Sequence, residues 1–257
     1  MLIHPTAIID RHAELDTTVS VGPYAVIGPK VKIGPGTVIG PHAVIEGDTR
    51  IGAENRIFQF AALGAIPQDL KYAGEETKLV LGDRNQVREF ATLHLGTAAG
   101  GGVTSVGNAN LFMACSHVAH DCRVGDGVIL ANSAALAGHV QVADHAVLGG
   151  LSAVHQFTRI GIHAFISGGA MVTMDIPPYC TAQGDRAQLA GVNTIGLTRH
   201  GFSAEAVARV RAAYKILFRS RLGLREALAQ VRAEFAGHGE IDALVDFIEG
   251  SARGIAR

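Results

Sequence analysis

VGPYAVIGPKVKIGPGTVIGPHAVIE, residues 21–46, sets a branched aliphatic at every sixth position: Val21, Ile27, Ile33, Ile39 and Ile45. The same step runs back to Ile3 and forward to Leu63, breaks over residues 64–80, and resumes at Leu81, Val87 and Leu93. It breaks again over 94–105, then runs from Val106 through Phe112, Val118 and Val124 to Val172. Gly often follows the aliphatic, as at Gly22, Gly28, Gly34 and Gly40, and a small residue falls four places after it, as at Ala25, Thr37 and Ala43. A period of six is neither helical nor simple strand alternation. It fits a short strand and a corner, with the aliphatic and the small residue facing a narrow interior. Gly is expected to supply backbone freedom at the bend. Three units close one coil of 18 residues, and stacked coils pair as parallel strands about 4.8 Å apart. The expected fold is an all-β parallel β-helix of the hexapeptide class.

The register breaks read as loops leaving the coil. The first, GAIPQDLKYAGEETK, carries Pro, Gly and charge; the second, HLGTAAGGGVTS, is small and Gly-rich. Loops on a rigid scaffold are where function concentrates. The repeat stops at Asp175-Ile176-Pro177-Pro178, since prolines fit poorly in a ladder strand. From Ser203 the apolar spacing becomes helical: Val207, Val210, Tyr214, Leu217 and Phe218, then Leu224, Leu228, Val231 and Phe235, then Ile241, Leu244, Val245 and Ile248. The expected organisation is a β-helix over 1–190 and a C-terminal α-helical region over 191–257 that caps it.

Composition excludes several classes. Lys+Arg 22 against Asp+Glu 23 gives a formal net charge of -1, which does not point to a nucleic-acid partner. Cys115, Cys122 and Cys180 are too sparse for a disulfide scaffold, which favours a reducing compartment. The N-terminus lacks the pattern of a signal peptide, and no apolar run is long enough for a transmembrane segment. A cytoplasmic protein is expected.

Chemistry can enter at His117-Val118-Ala119-His120-Asp121-Cys122. Units beginning at 118, 136 and 154 lie one coil apart, so His120, His139 and His155 share a face, and His117 sits at the corner leading into it. A histidine beside a carboxylate can be a general base whose tautomer the carboxylate fixes. Histidines from stacked coils can equally hold zinc. A β-helix face is not concave, whereas ligand sites are. A second wall is needed, most simply from another copy of the chain, so a homo-oligomer with interfacial clefts is expected.

The segments HVAHDC, LAGH, AVHQF and PPYCTAQGDRAQLAGVN, the PQDLKY loop, and RHGFS and AYKILFRS in the tail together resemble the bacterial UDP-N-acetylglucosamine O-acyltransferase family. The resemblance spans nearly the whole chain. It implies that the β-helix is left-handed and the assembly a homotrimer with sites between subunits. It also implies transfer of a (R)-3-hydroxyacyl group from acyl carrier protein to the 3-hydroxyl of UDP-N-acetylglucosamine, the first step of lipid A biosynthesis. No cofactor is implied beyond the phosphopantetheine that carries the acyl donor, and no covalent acyl-enzyme.

By the same resemblance His120 matches the catalytic base, Asp121 the residue that polarises it, and the Gly138 N–H the oxyanion donor. Gln68, Asp69 and Lys71 match substrate contacts of the first loop, and His117, His139, His155 and Gln156 match groove residues. Asn193 and Arg199 match the nucleotide side. Gly168 matches the position that sets acyl length, and Gly there favours a longer chain. Ile195 and His200 depart from the acidic residue and second Arg common in the family. Arg209, Arg211, Lys215, Arg219 and Arg221 are candidates for steering an acidic carrier protein. Three rivals stand beside this reading. The later N-acyltransferase of the same pathway carries a globular domain before its solenoid, and here the repeat begins at Ile3. A zinc enzyme resembling γ-class carbonic anhydrase and a non-catalytic scaffold are the others.

Overall fold

The computed structural model describes residues 2–257. Two-residue strands recur every six residues from Leu2–Ile3 to Met171–Val172, lengthening to four beside the loops. They stack into three sheets, of eleven, nine and eight strands among the described residues, parallel except at the last pair of the eleven-stranded sheet. Away from the two loops and the last strands the register repeats: Val26 pairs with Val44, His117 with Ala135, Arg123 with Gln141, each one coil of 18 residues apart. The fold is a left-handed parallel β-helix followed by helices. Among the described residues no helix is long and apolar enough to cross a membrane.

The sixth-position aliphatics fill the interior: from Val21 to Val172 every one on the register is 5% exposed or less. Burying such a side chain contributes about 1.5–3 kcal/mol, and the coil repeats that burial in every unit. The small positions are buried too, Ala25, Thr37 and Ala43 at 0%.

The role of Gly in the corner differs from expectation. The left-handed residue is the third after the aliphatic, not the first: Tyr24, His42, Asp121, Ser133, His139 and Phe157 all have φ near +60°. Gly just after the aliphatic answers a close approach between coils. A Cβ on Gly22 would lie 2.9 Å from Pro41 N, and one on Gly34 would lie 2.8 Å from Gly52 C. Between them, the second residue after the aliphatic has an N–H that the ladder does not use. Pro5, Pro23, Pro29, Pro35 and Pro41 fill that slot without losing a hydrogen bond.

That slot also corrects the expected end of the coil. Pro178 falls in it, two residues after Ile176, so the prolines turn a corner and interrupt no strand. Ile176 is fully buried and bridges Ile160, and Cys180–Gln183 pairs in parallel with Phe165–Ile166. Gln188–Val192 then closes the sheet antiparallel. The loops are shorter than expected, because Ala62–Ala65, Lys78–Leu81, Thr92–His94 and Val103–Val106 are strands. Lys78–Leu81 pairs residue by residue with Asp48–Ile51, leaving 66–77 and 95–102 outside the ladder.

Four helices follow: α1 (Thr194–Arg199), α2 (Ala204–Arg219), α3 (Leu224–Glu234) and α4 (Gly239–Glu249). The short α1, capped by the Asn193 side chain, has no apolar periodicity and was not expected before Ser203, which instead caps α2. The α2, α3 and α4 faces bury Val210, Leu217, Val231, Leu244 and Val245 against Tyr179 of the last coil. The first coil stays open, with Leu2 at 76% and Ile8 at 65% exposed.

Candidate active site

His120 and Asp121 form the corner between the nine-stranded and eight-stranded sheets, and Gly138 and His139 form the same corner one coil on. The His120 ring packs directly against Gly138: a Cβ there would be 2.5 Å from its Cε1 and 2.6 Å from its Nε2. Only Gly lets the imidazole rest against this backbone. Gly138 also occupies the proline-type slot, so its N–H is not spent on the ladder and points to no protein acceptor among the described residues.

His120 Nδ1 and Asp121 Oδ2 are 2.7 Å apart. A carboxylate only accepts, so Nδ1 carries the proton and Nε2 keeps a lone pair for substrate. The Asp121 side chain is 1% exposed. Burial works to raise its pKa, but hydrogen bonds from the Thr97 N–H, His120 and the Thr97 hydroxyl hold it below the usual carboxylate value. It is therefore an anion in place beside the imidazole. His139, stacked on Phe157, sets its ring edge-on to His120 at 5.1 Å and its Nε2 3.7 Å from Asp121 Oδ2. Its pKa is lowered, chiefly by burial, with Asp121 and Asp69 pulling the other way. Asp69 of the first loop is thus close enough to be felt at this corner.

His120, Asp121 and His139 offer ligand atoms within 4.8 Å of one another, a geometry that could hold a metal. The donor set argues for the hydrogen-bonded pair. Both Asp121 oxygens already accept from Thr97, and Oδ2 also accepts from His120. A metal there would have to displace those protons.

His117 is not at a corner. It lies in the strand His117–Val118 on the outer face of the nine-stranded sheet, where Nδ1 meets the Thr92 hydroxyl at 2.7 Å. Its pKa is lowered by burial and by His120. Beside it, edge-on at 4.9 Å, stands His94, which the loop assignment hid. His94 is 5% exposed and its pKa is lowered to about 4 by burial and by His117 and His120. Its folded value lies below the ordinary 6.5, so the neutral ring stabilises the fold fully above pH 6.5, and that contribution disappears as pH falls toward 4. Urea unfolding midpoints are expected to fall between pH 6.5 and 4, and His94→Gln to flatten that fall. An unchanged slope in the variant refutes the assignment.

His155 and Gln156 are exposed one coil further. His155 Nδ1 lies 2.8 Å from Arg253 Nη2 of the C-terminal segment, a contact no sequence pattern signals. Gln68 and Lys71 are exposed on the first loop, where Asp69 accepts from the Lys71 N–H at 3.0 Å. Gly168 sits at the far edge of the nine-stranded sheet, with Gly150 O, at 3.3 Å, the nearest atom to a Cβ built there. A side chain at 168 would occupy the space it now leaves open.

Asn193 and Arg199 do not join this corner. With His145, His163, Ile195 and His200 they line a pocket of about 620 Å³ on the outer face of the eleven-stranded sheet, over Ile129, Val147 and Phe165. On the tail, Arg209 is paired with Glu240 at 2.7 Å, and Arg219 donates to Leu189 O at 2.7 Å. Arg211, Lys215 and Arg219 line a second hollow beside Thr194, and Arg221 is exposed.

Two family descriptions match: the bacterial transferase hexapeptide (six repeats) over residues 17–47, and Udp N-acetylglucosamine O-acyltransferase, Domain 2, over 175–256. The acyl-[acyl-carrier-protein]–UDP-N-acetylglucosamine O-acyltransferase of Myxococcus xanthus (strain DK1622) is 64% identical over 255 residues, 99% of either chain. That of Janthinobacterium sp. (strain Marseille) is 54% identical over all of this chain and 99% of its own. Among solved structures, LpxA from Acinetobacter baumannii matches with TM-score 0.97 at 44% identity, covering all of both chains. The Arabidopsis UDP-N-acetylglucosamine acyltransferase matches with TM-score 0.84 at 35% identity, also in full. With that identity over its full length, the chain belongs to the UDP-N-acetylglucosamine O-acyltransferase family.

Proposed function

We propose that this chain transfers a (R)-3-hydroxyacyl group from acyl carrier protein to the 3-hydroxyl of UDP-N-acetylglucosamine, the first step of lipid A biosynthesis, with His120 as general base. The observation that carries the reading is the His120–Asp121 hydrogen bond laid over Gly138. His120 Nε2 takes the proton of the sugar hydroxyl as its oxygen attacks the thioester carbon. The carbonyl oxygen becomes an oxyanion facing the Gly138 N–H; one such donor is worth roughly 3–4 kcal/mol of transition-state stabilisation. Collapse breaks the carbon–sulfur bond, and the imidazolium returns its proton to the departing phosphopantetheine thiolate. Asp121 stays ionised throughout and holds the imidazolium. Asp69 and His139 fit contacts to the sugar, and Arg199 suits a diphosphate. The open space at Gly168 suits a longer acyl chain. A cytoplasmic site of action fits a donor carried on acyl carrier protein.

The corner with His120 and the pocket with Asn193 and Arg199 lie on different faces of one protomer. A homotrimer in which one copy's corner faces another's pocket supplies the missing wall. Acyl transfer from a panel of acyl carrier proteins to UDP-N-acetylglucosamine tests the reaction; no turnover with any donor refutes it, and stoichiometric zinc with carbon dioxide hydration would replace it. Mixing His120→Ala with Arg199→Ala subunits by co-refolding tests the shared site. Activity above either variant alone is expected, and none if both residues serve the same protomer.

A further inference from the structure

We propose that Thr97, at the start of the 3₁₀ turn Ala98–Gly100, is a positioning residue that fixes the carboxylate behind His120 and tempers its pull on the imidazole proton. This rests on the general-base reading above. The sequence offers only a small, Gly-rich loop here, and the fold folds it back over Asp121. The Thr97 N–H donates to Asp121 Oδ1 at 2.8 Å, and its hydroxyl donates to Oδ2 at 2.7 Å. The hydroxyl oxygen accepts in turn from the Gly100 N–H at 3.2 Å. From the other side the Asp121 N–H donates to Thr104 Oγ1 at 2.8 Å. Gly100 cannot carry a side chain, because a Cβ would lie 2.0 Å from Asp121 Cγ. Thr97 is 3% exposed, so these bonds are out of water, where they are strongest.

The arrangement gives one carboxylate oxygen two donors: Oδ2 accepts from both the Thr97 hydroxyl and His120 Nδ1. An oxygen shared in this way is a weaker acceptor for each. Thr97 therefore limits how far Asp121 stabilises the imidazolium, while preventing the carboxylate from turning away. The other titratable groups facing this cluster are His139, with Nε2 3.7 Å from Oδ2, His117 and His94, whose rings both feel His120, and Glu75, which accepts from the Ala98 N–H at 3.3 Å. Asp69 acts on it through His139. All are unchanged by a substitution at Thr97.

The test compares Thr97→Val, which keeps shape and loses the hydroxyl, with Thr97→Ser, which keeps it. The valine variant is expected to lose about tenfold to a hundredfold in kcat, with KM for UDP-N-acetylglucosamine within about twofold. Its acid limb of kcat/KM is expected to move to higher pH, because an unshared Oδ2 holds the His120 proton more firmly. Serine is expected to restore both. Equal kcat in the two variants, or an acid limb that stays in place, overturns the proposal. If Thr97→Val does not fold, Thr97→Ala against Thr97→Ser reads the same hydroxyl without added bulk. A wild-type protein that transfers no acyl group refutes the enzymatic reading instead, so the two failures are separable.

Discussion

Acyl transfer by the His120→Ala variant is expected to fall by about 10²–10⁴-fold in kcat, the usual contribution of a positioned general base. KM for the sugar nucleotide is expected to stay close to wild type, since Asn193 and Arg199 lie on another face and are untouched. Removing the ring leaves the corner intact, because the backbone bond from His139 N–H to His120 O does not depend on it. Gly138→Ala should reach a similar loss by another route. Its Cβ would fall 2.5 Å from His120 Cε1, forcing the imidazole off its bond to Asp121. Steady-state rates with a saturating acyl donor check both. His120→Ala turning over within about twofold of wild type would remove the base from the mechanism.

Asn85→Ala is expected to destabilise the protein by about 3 kcal/mol while leaving the active-site corner alone. Asn85 is fully buried at a small-residue position and belongs to a column running up the inside of one corner. Each side chain accepts the backbone N–H of the same corner in the next coil. Thr37 accepts from Asn55 at 3.1 Å, Asn55 from Asn85 at 2.8 Å, Asn85 from Asn110 at 2.9 Å, and Asn110 from Val128 at 2.6 Å. Asn85 Nδ2 also donates to Asn55 Oδ1 and Gly107 O, both at 3.0 Å. Alanine would leave the Asn110 N–H buried with no acceptor. The urea midpoint for unfolding measures the effect, and a shift equivalent to less than about 0.5 kcal/mol, the level of an ordinary surface change, would show that the column is dispensable.

The asparagine column marks the limit of the hydropathy pattern. The aliphatic step identified the coils as far as Val172, but it said nothing of a polar residue that could be buried because its amide mimics the ladder. The prolines at 177 and 178 misled for a related reason. In a strand Pro removes a needed donor, whereas in the slot of Pro178 the donor is surplus, and only the position within the six-residue unit tells the two apart. His94 and Thr97 were hidden because the register breaks after Leu93, although the wall continues through His94 and only then gives way to the loop that carries Thr97.

What the sequence determined alone was the coil: a branched aliphatic every six residues has one economical burial, so stacking, register and the shared face of His120 and His139 follow from counting. What the tertiary structure decided was which side chains touch. The bond from His120 to Asp121, the ring resting on Gly138, the Thr97 clamp and the separation of the Arg199 pocket depend on how a loop folds back and where helices dock. Those contacts join residues through side-chain geometry rather than through the repeat, and periodicity carries no information about geometry outside its own period.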